Sequence, residues 1–337
     1  MKLLFNISLL VALVVFSGCS TKKVFKPEGD KVVGKWKERS DLNGSIVDVR
    51  ANGALLKDGT ILSHDTHISL HVNAKQERLV DADKEWIITT QIDGNTTLTS
   101  KTDTTKKEFF DLKKTVAAAS VKDDLLAVVF ASNELAIYSV KTKEILFHSE
   151  GNAPLAVDTK IVNPYFLDDL VLFLTLDGKI VIVNSQEKKI VRSMIISSAD
   201  KFNNVIAFDV AGDNLIAATG TELLSLANKD IRAAYEIRNM RYDEKDGIYI
   251  ATKQGELVNL TTTLQVKSKI KFPFAHFLGM ITADDKLYIL EKEGYIIALE
   301  KDLKSYKVYK ASINSDGYVY VGDKAFYIDD EFFIVKK

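Results

Sequence analysis

One spacing constrains this chain more than any other. An apolar residue opening a strand-like run is followed, seven positions later, by a Gly or Asn in a turn. The pairs are Leu287 to Gly294, Ile248 to Gly255, Val171 to Gly178, Leu126 to Asn133 and Ile87 to Gly94. Around them the chain keeps one form: an Asp-rich turn, a strand, a Gly- or Asn-bearing turn, then a second strand. Residues 284–299 read DDKLYILEKEGYIIAL, and residues 244–260 read EKDGIYIATKQGELVNL. Residues 167–183 (LDDLVLFLTLDGKIVIV) and 122–138 (KDDLLAVVFASNELAIY) repeat it. Looser copies occupy residues 212–226 and 322–335. The landmarks Ile87, Leu126, Val171, Leu215, Ile248, Leu287 and Phe326 stand 39, 45, 44, 33, 39 and 39 residues apart.

Short runs of Val, Ile, Leu, Phe and Tyr bounded by Asp-Gly, Asp-Asn and Asp-Asp are hairpin signals. A period of about 40 residues holds four strands of five or six residues with their turns. Four-stranded units recurring at that period predict a β-propeller, an all-β fold. A helical reading fails, because no window sustains an apolar period of 3.6 and β-branched residues abound. Residues 45–72 are strand-like and turn-rich but fit the repeat least well. With them the count is eight blades; if they are irregular packing, it is seven. The last unit has room for three strands, so the missing outer strand must come from elsewhere. Residues 31–37 (KVVGKWK) are expected to supply it, hiding a sheet edge and closing the ring.

The N-terminus has a different character. MKLLFNISLLVALVVFSGC places Lys2 before an apolar run, then small residues before Cys19, the chain's single cysteine. That is the layout of a signal peptide over residues 1–18. The run is shorter than the ~20 residues of a membrane span. The Ser17-Gly18-Cys19 ending resembles a bacterial lipobox, with Phe16 where Leu is usual. The resemblance implies a lipid on Cys19 and attachment to a membrane through it. Ser20 in place of Asp implies the outer membrane. A capped cysteine also explains the lack of any other, since a free thiol in an oxidising compartment is a liability. Residues 19–30 read as a flexible tether, and residues 31–337 as a single propeller domain.

Removing residues 1–18 leaves 44 basic against 46 acidic residues, a net charge of −2. That balance carries no nucleic-acid signature. No esterase elbow, glycine-rich phosphate loop or thiol nucleophile is present, so no catalytic residue, cofactor or metal site is assigned and an enzyme is not expected. The paired carboxylates Asp123-Asp124, Asp168-Asp169, Asp284-Asp285 and Asp329-Asp330 recur with the repeat, as turn chemistry should. His64, His67 and His71 would share a face on a helix. In a strand, His64 points away from the other two, so they read as polar positions beside a turn. Asn43 and Asn95 lie in sequons with an Asp two residues earlier, which resembles the acceptor of bacterial N-glycosylation.

A lipobox, a tether and about eight blades with units such as DDKLYILEKEGYIIAL resemble the BamB-like outer-membrane assembly lipoproteins. They also resemble the wider pyrroloquinoline-quinone-type and WD40-like propellers. The resemblance implies a lipid-anchored periplasmic scaffold, a monomeric propeller, whose partners are outer-membrane assembly proteins. The blades depart from the quinoprotein pattern, since the only tryptophans are Trp36 and Trp86. A second reading is a module that binds a cell-wall glycan or another ligand at the envelope.

Overall fold

The computed structural model describes residues 23–313 and 317–335. The expected signal peptide, Cys19 and the start of the expected tether lie outside them. Apart from one 3-10 turn at Gly29–Lys31, the regular structure of the described chain is all β-strand, arranged as eight sheets whose consecutive strands are antiparallel. Blades 1 to 7 each carry four consecutive strands, the first innermost. They span residues 46–69, 78–111, 116–149, 165–195, 207–234, 237–271 and 277–310. Blade 8 holds Val319–Val321, Ala325–Ile328 and Glu331–Ile334. The innermost strands of blades 1, 2 and 3, and those of blades 5 to 8 and back to blade 1, touch in turn, and blades 3, 4 and 5 are joined by shared apolar clusters, so the ring is closed. The fold is an eight-bladed β-propeller, and residues 46–69 are a true blade.

The repeat acquires a physical meaning here. Ile87, Leu126, Val171, Ile248, Leu287 and Phe326 all sit on second strands and are fully buried between neighbouring blades. The turn residue seven positions later needs a left-handed backbone. Gly94, Asn133, Gly178, Gly255 and Gly294 have φ of 94°, 66°, 80°, 77° and 85°. At Gly94 a side chain is doubly excluded, because a Cβ would lie 2.6 Å from the Lys114 carbonyl oxygen. Asp123, Asp168 and Asp284 occupy left-handed positions of first turns, with φ of 53°, 49° and 51°. Asp329 has the same backbone but belongs to the second turn of blade 8, so its pair is not equivalent to the others.

Ring closure differs from the expectation in its residues. The outer strand of blade 8 is Arg39–Asp41, antiparallel to Glu331–Ile334. Within residues 31–37, Val32–Lys35 instead pairs in parallel with Tyr306–Lys310 and makes blade 7 five-stranded. The reason is Trp36. Its ring packs edge-on against Tyr288 and Tyr309 of blade 7, with centroids 5.9 and 5.1 Å away. Its indole N–H donates to the Ile334 carbonyl at 3.0 Å. The apolar half of the segment is thus held on blade 7. Polar Arg39, Ser40 and Asp41 suffice for an exposed edge, where backbone hydrogen bonds do the pairing.

Part of the expected tether is also docked. Phe25 is 4% exposed and lies edge-on between Phe272 and Tyr295. The chain therefore meets the disc before residue 31.

Alternating strand direction gives the disc two unlike faces. First and third turns of every blade fall on one, called here the mouth face. Second turns and the crossings between blades fall on the other, the crossing face.

Candidate functional site at the channel mouth

The inner strands surround a central channel, and its mouth holds a pocket of about 200 Å³. Its walls come from blades 1 to 5: Asn52, Asp81, Lys84, Trp86, Tyr165 and Phe208 decide its character. Blade 2 contributes most because its first turn is unusual. Residues 82–85 separate Arg78–Asp81 from Trp86–Thr90, whereas blades 3, 4 and 7 turn in two residues. The longer turn carries Asp83 and Lys84 out over the mouth.

Asp81 is the buried centre of this turn, 5% exposed. One carboxylate oxygen accepts from Asn52 Nδ2 at 2.9 Å and from the Ala82 and Asp83 amides at 2.9 and 3.3 Å. The other accepts from Ser120 Oγ at 3.4 Å. Burial dominates and pushes its carboxyl up to about 6 despite these donors. Lys101 reaches beneath, donating to Ser63 Oγ at 2.7 Å and the Ala82 carbonyl at 3.2 Å, and burial lowers its ammonium.

His64 ties three blades together. Nε2 faces Asp83 Oδ1 at 3.3 Å and Nδ1 faces Asp323 Oδ2 at 3.1 Å. The hydrogen bond to Asp83 is the largest cause of an imidazole raised to about 9, and the same bond lowers Asp83. His64 is therefore an imidazolium at neutral pH, with both ring nitrogens donating. His67 is on the fourth strand of blade 1, edge-on to Tyr327 and Phe332 at 6.4 and 6.5 Å. His71 follows that strand. The three histidines do not converge, and among the described residues no group of three His, Cys, Asp or Glu side chains is arranged to hold a metal.

Aromatic rings form the other wall. Tyr165 and Phe208 stand 5.3 Å apart, and Lys84 Nζ lies 5.8 Å from the Tyr165 ring. Half-buried Trp86 has Lys106 Nζ 5.3 Å over its ring.

Deeper in, residues 150–164, the crossing from blade 3 to blade 4, run across the channel. Asn163 Nδ2 reaches the Val80 carbonyl of blade 2 at 3.4 Å. Lys160 Nζ reaches the Arg238 carbonyl and Asn239 Oδ1 of blade 6, each at 2.5 Å. Fully buried Asn204 grips this crossing through the Asp158 amide at 2.6 Å and the Lys160 carbonyl at 2.7 Å. Lys160 retains exposed surface, yet the protein around it desolvates its ammonium and pushes it down to about 8.

The sequon residues stand elsewhere. Asn43 and Asn95 are exposed on the crossing face, Asn43 between blades 8 and 1 and Asn95 at the second turn of blade 2. Asp93 accepts from the Asn95 amide at 3.0 Å and from Asn95 Nδ2 at 2.8 Å, so a turn accounts for that acid.

Sequence reasoning did not assign the mouth residues. The available signal was irregularity: the stretched first turn of blade 2 and a tryptophan beside it.

The chain's likenesses fit this architecture. No protein-family profile matches it. The plasminogen-binding protein PgbB of Helicobacter pylori strain J99 is 30% identical over 349 aligned residues, covering 90% of this chain. PgbB of strain 26695 is 29% identical with the same coverage. The chain spans 64% of the length of each of these relatives. Among solved structures, BamB from Moraxella catarrhalis superposes with a TM-score of 0.66 at 13% identity, covering 88% of this chain and 98% of BamB. The C-terminal WD40 domain of Sif2 gives 0.65 at 13% identity, covering 90% and 99%. At such identities these two show the fold alone: the chain is one of the β-propellers.

Proposed function

We propose that this chain is a protein-binding propeller, lipid-anchored through Cys19 at the outer membrane, that takes its partner at the channel mouth. The mouth pocket carries the reading. At about 200 Å³ it falls below the ~300 Å³ where small-molecule sites begin, and suits one protruding side chain of a larger partner. Tryptophan and tyrosine at its rim are the residue types that dominate protein interfaces. A catalytic role has no support in the mouth chemistry. Asp81 is engaged by four donors and the charge of Asp83 is met by His64.

Two partner classes follow. The BamB-like resemblance points to outer-membrane assembly proteins. The PgbB relatives, matched across 90% of this chain, point instead to plasminogen and make it the first ligand to try. The full chain, extracted in mild detergent, is immobilised and probed with plasminogen, and its co-purifying proteins are identified by mass spectrometry. Saturable plasminogen binding lost in Trp86→Ala supports that ligand. A barrel-assembly component supports the envelope role. Neither result, with the propeller intact, defeats the protein-binding reading.

A further inference from the structure

The two faces present different surfaces to solvent. Ile92, Leu155, Phe202, Phe274 and Tyr318 are 83%, 78%, 55%, 57% and 55% exposed. Ile92 belongs to the second turn of blade 2, and the other four to crossings between blades. All five therefore project from the crossing face. Among the described residues, the other large apolar side chains that stand exposed lie on strands at the rim, and none lies on a mouth-face turn. Scattered surface apolar residues are ordinary. Five at the loop tips of one face and none on the other are a patterned surface.

A second observation fixes what that surface meets. The N-terminal segment joins the disc on the same face. Lys23 Nζ stands 5.4 Å from the Phe274 ring, and Phe25 is held between Phe272 and Tyr295. Cys19 precedes Lys23 by four residues, and four residues reach at most about 14 Å. A lipid on Cys19 would thus start within a loop's length of Phe274.

We infer that the crossing face lies against a lipid bilayer, with Leu155, Phe202, Phe274 and their neighbours entering the headgroup layer. This rests on the reading of Cys19 as the lipid anchor. Aromatic and aliphatic tips stabilise such a contact by leaving water at the interface, and they add orientation to an anchor that alone permits rotation. The channel mouth then points away from the lipid, toward soluble partners. Asn95 is three residues from Ile92, so a glycan there would hold this face off the membrane.

The test uses the full chain, in which a lipidated Cys19 cannot take a thiol dye. Leu155→Cys and Phe274→Cys are labelled with an environment-sensitive fluorophore, with Gln186→Cys on the mouth face as reference. Each protein is bound to phosphatidylethanolamine–phosphatidylglycerol vesicles carrying a headgroup-proximal spin-labelled lipid. Quenching several-fold greater at positions 155 and 274 than at 186 is expected. Palmitate incorporation, compared with Cys19→Ala, reports the anchor separately. Palmitate present with equal quenching at all three positions overturns the orientation alone. Palmitate absent removes the anchor reading and the orientation with it. A glycan found on Asn95 by intact mass also overturns the orientation.

Discussion

The mouth face and the crossing face are built from the same repeat, yet their side chains behave oppositely. On the mouth face the polar groups satisfy one another: Asp81 with Asn52 and Ser120, His64 with Asp83 and Asp323. On the crossing face apolar tips stand free and the N-terminal segment docks beside one of them. Several first turns place Asp or Gly at their left-handed positions: Asp123, Asp168, Gly212 and Asp284. On the crossing face two of the exposed tips, Phe202 and Phe274, hold the same left-handed backbone with φ of 52° and 63°.

The largest expected effect concerns where the chain joins the crossing face. Phe25→Ala deletes a buried ring and should cost about 3 kcal/mol, the usual loss for such a truncation. Thermal melts together with limited proteolysis near residue 30 would show it. An unchanged melt and an uncut N-terminal segment would mean that Phe25 does not set the point of attachment.

The next effect separates the faces directly. Trp86→Ala should weaken partner binding about tenfold or more, as loss of an interface anchor does. Phe202→Ser should leave that affinity unchanged while reducing vesicle binding. The reverse pattern, read by surface plasmon resonance, would exchange the roles of the two faces.

The smallest effect is a pH dependence at the mouth. His64 is raised from 6.5 to about 9, so the folded state binds its proton more tightly than the unfolded chain. Its stabilisation is complete below pH 6.5 and fades as pH rises through about 9. The side chain is partly exposed and screened, so the gap between wild type and His64→Gln should stay under about 1 kcal/mol. Paired melts at pH 6 and pH 10 would measure it. A gap that widens with pH would contradict the His64 clamp.

Much of the fold was legible, for a physical reason. Second strands are buried between two blades, so each must present an apolar residue at the same place: Ile87, Leu126, Val171, Ile248, Leu287 and Phe326 do so. The turn seven positions on must bend left-handed, so it is marked by Gly or Asn. Such constraints are local and recur, and a single sequence displays them several times over. Ring closure was legible in kind and not in residues. KVVGKWK has the stronger strand propensity, but Trp36 finds its aromatic partners on blade 7, and the plainer Arg39–Asp41 takes the edge of blade 8. The mouth was hardly legible, because its walls come from five blades and from residues as far apart as Asn52 and Phe208.

The sequence by itself determined the repeating unit, its strand order and the turn chemistry at each blade, because these depend on neighbours within about 40 residues. Tertiary structure alone decided which segment closes the ring, what fills the channel and which face carries the apolar tips. Those outcomes depend on pairs such as Trp36 with Tyr309, Asn163 with Val80 and Lys23 with Phe274. Each pair joins residues far apart in the chain, and only the closing of the ring brings them within reach.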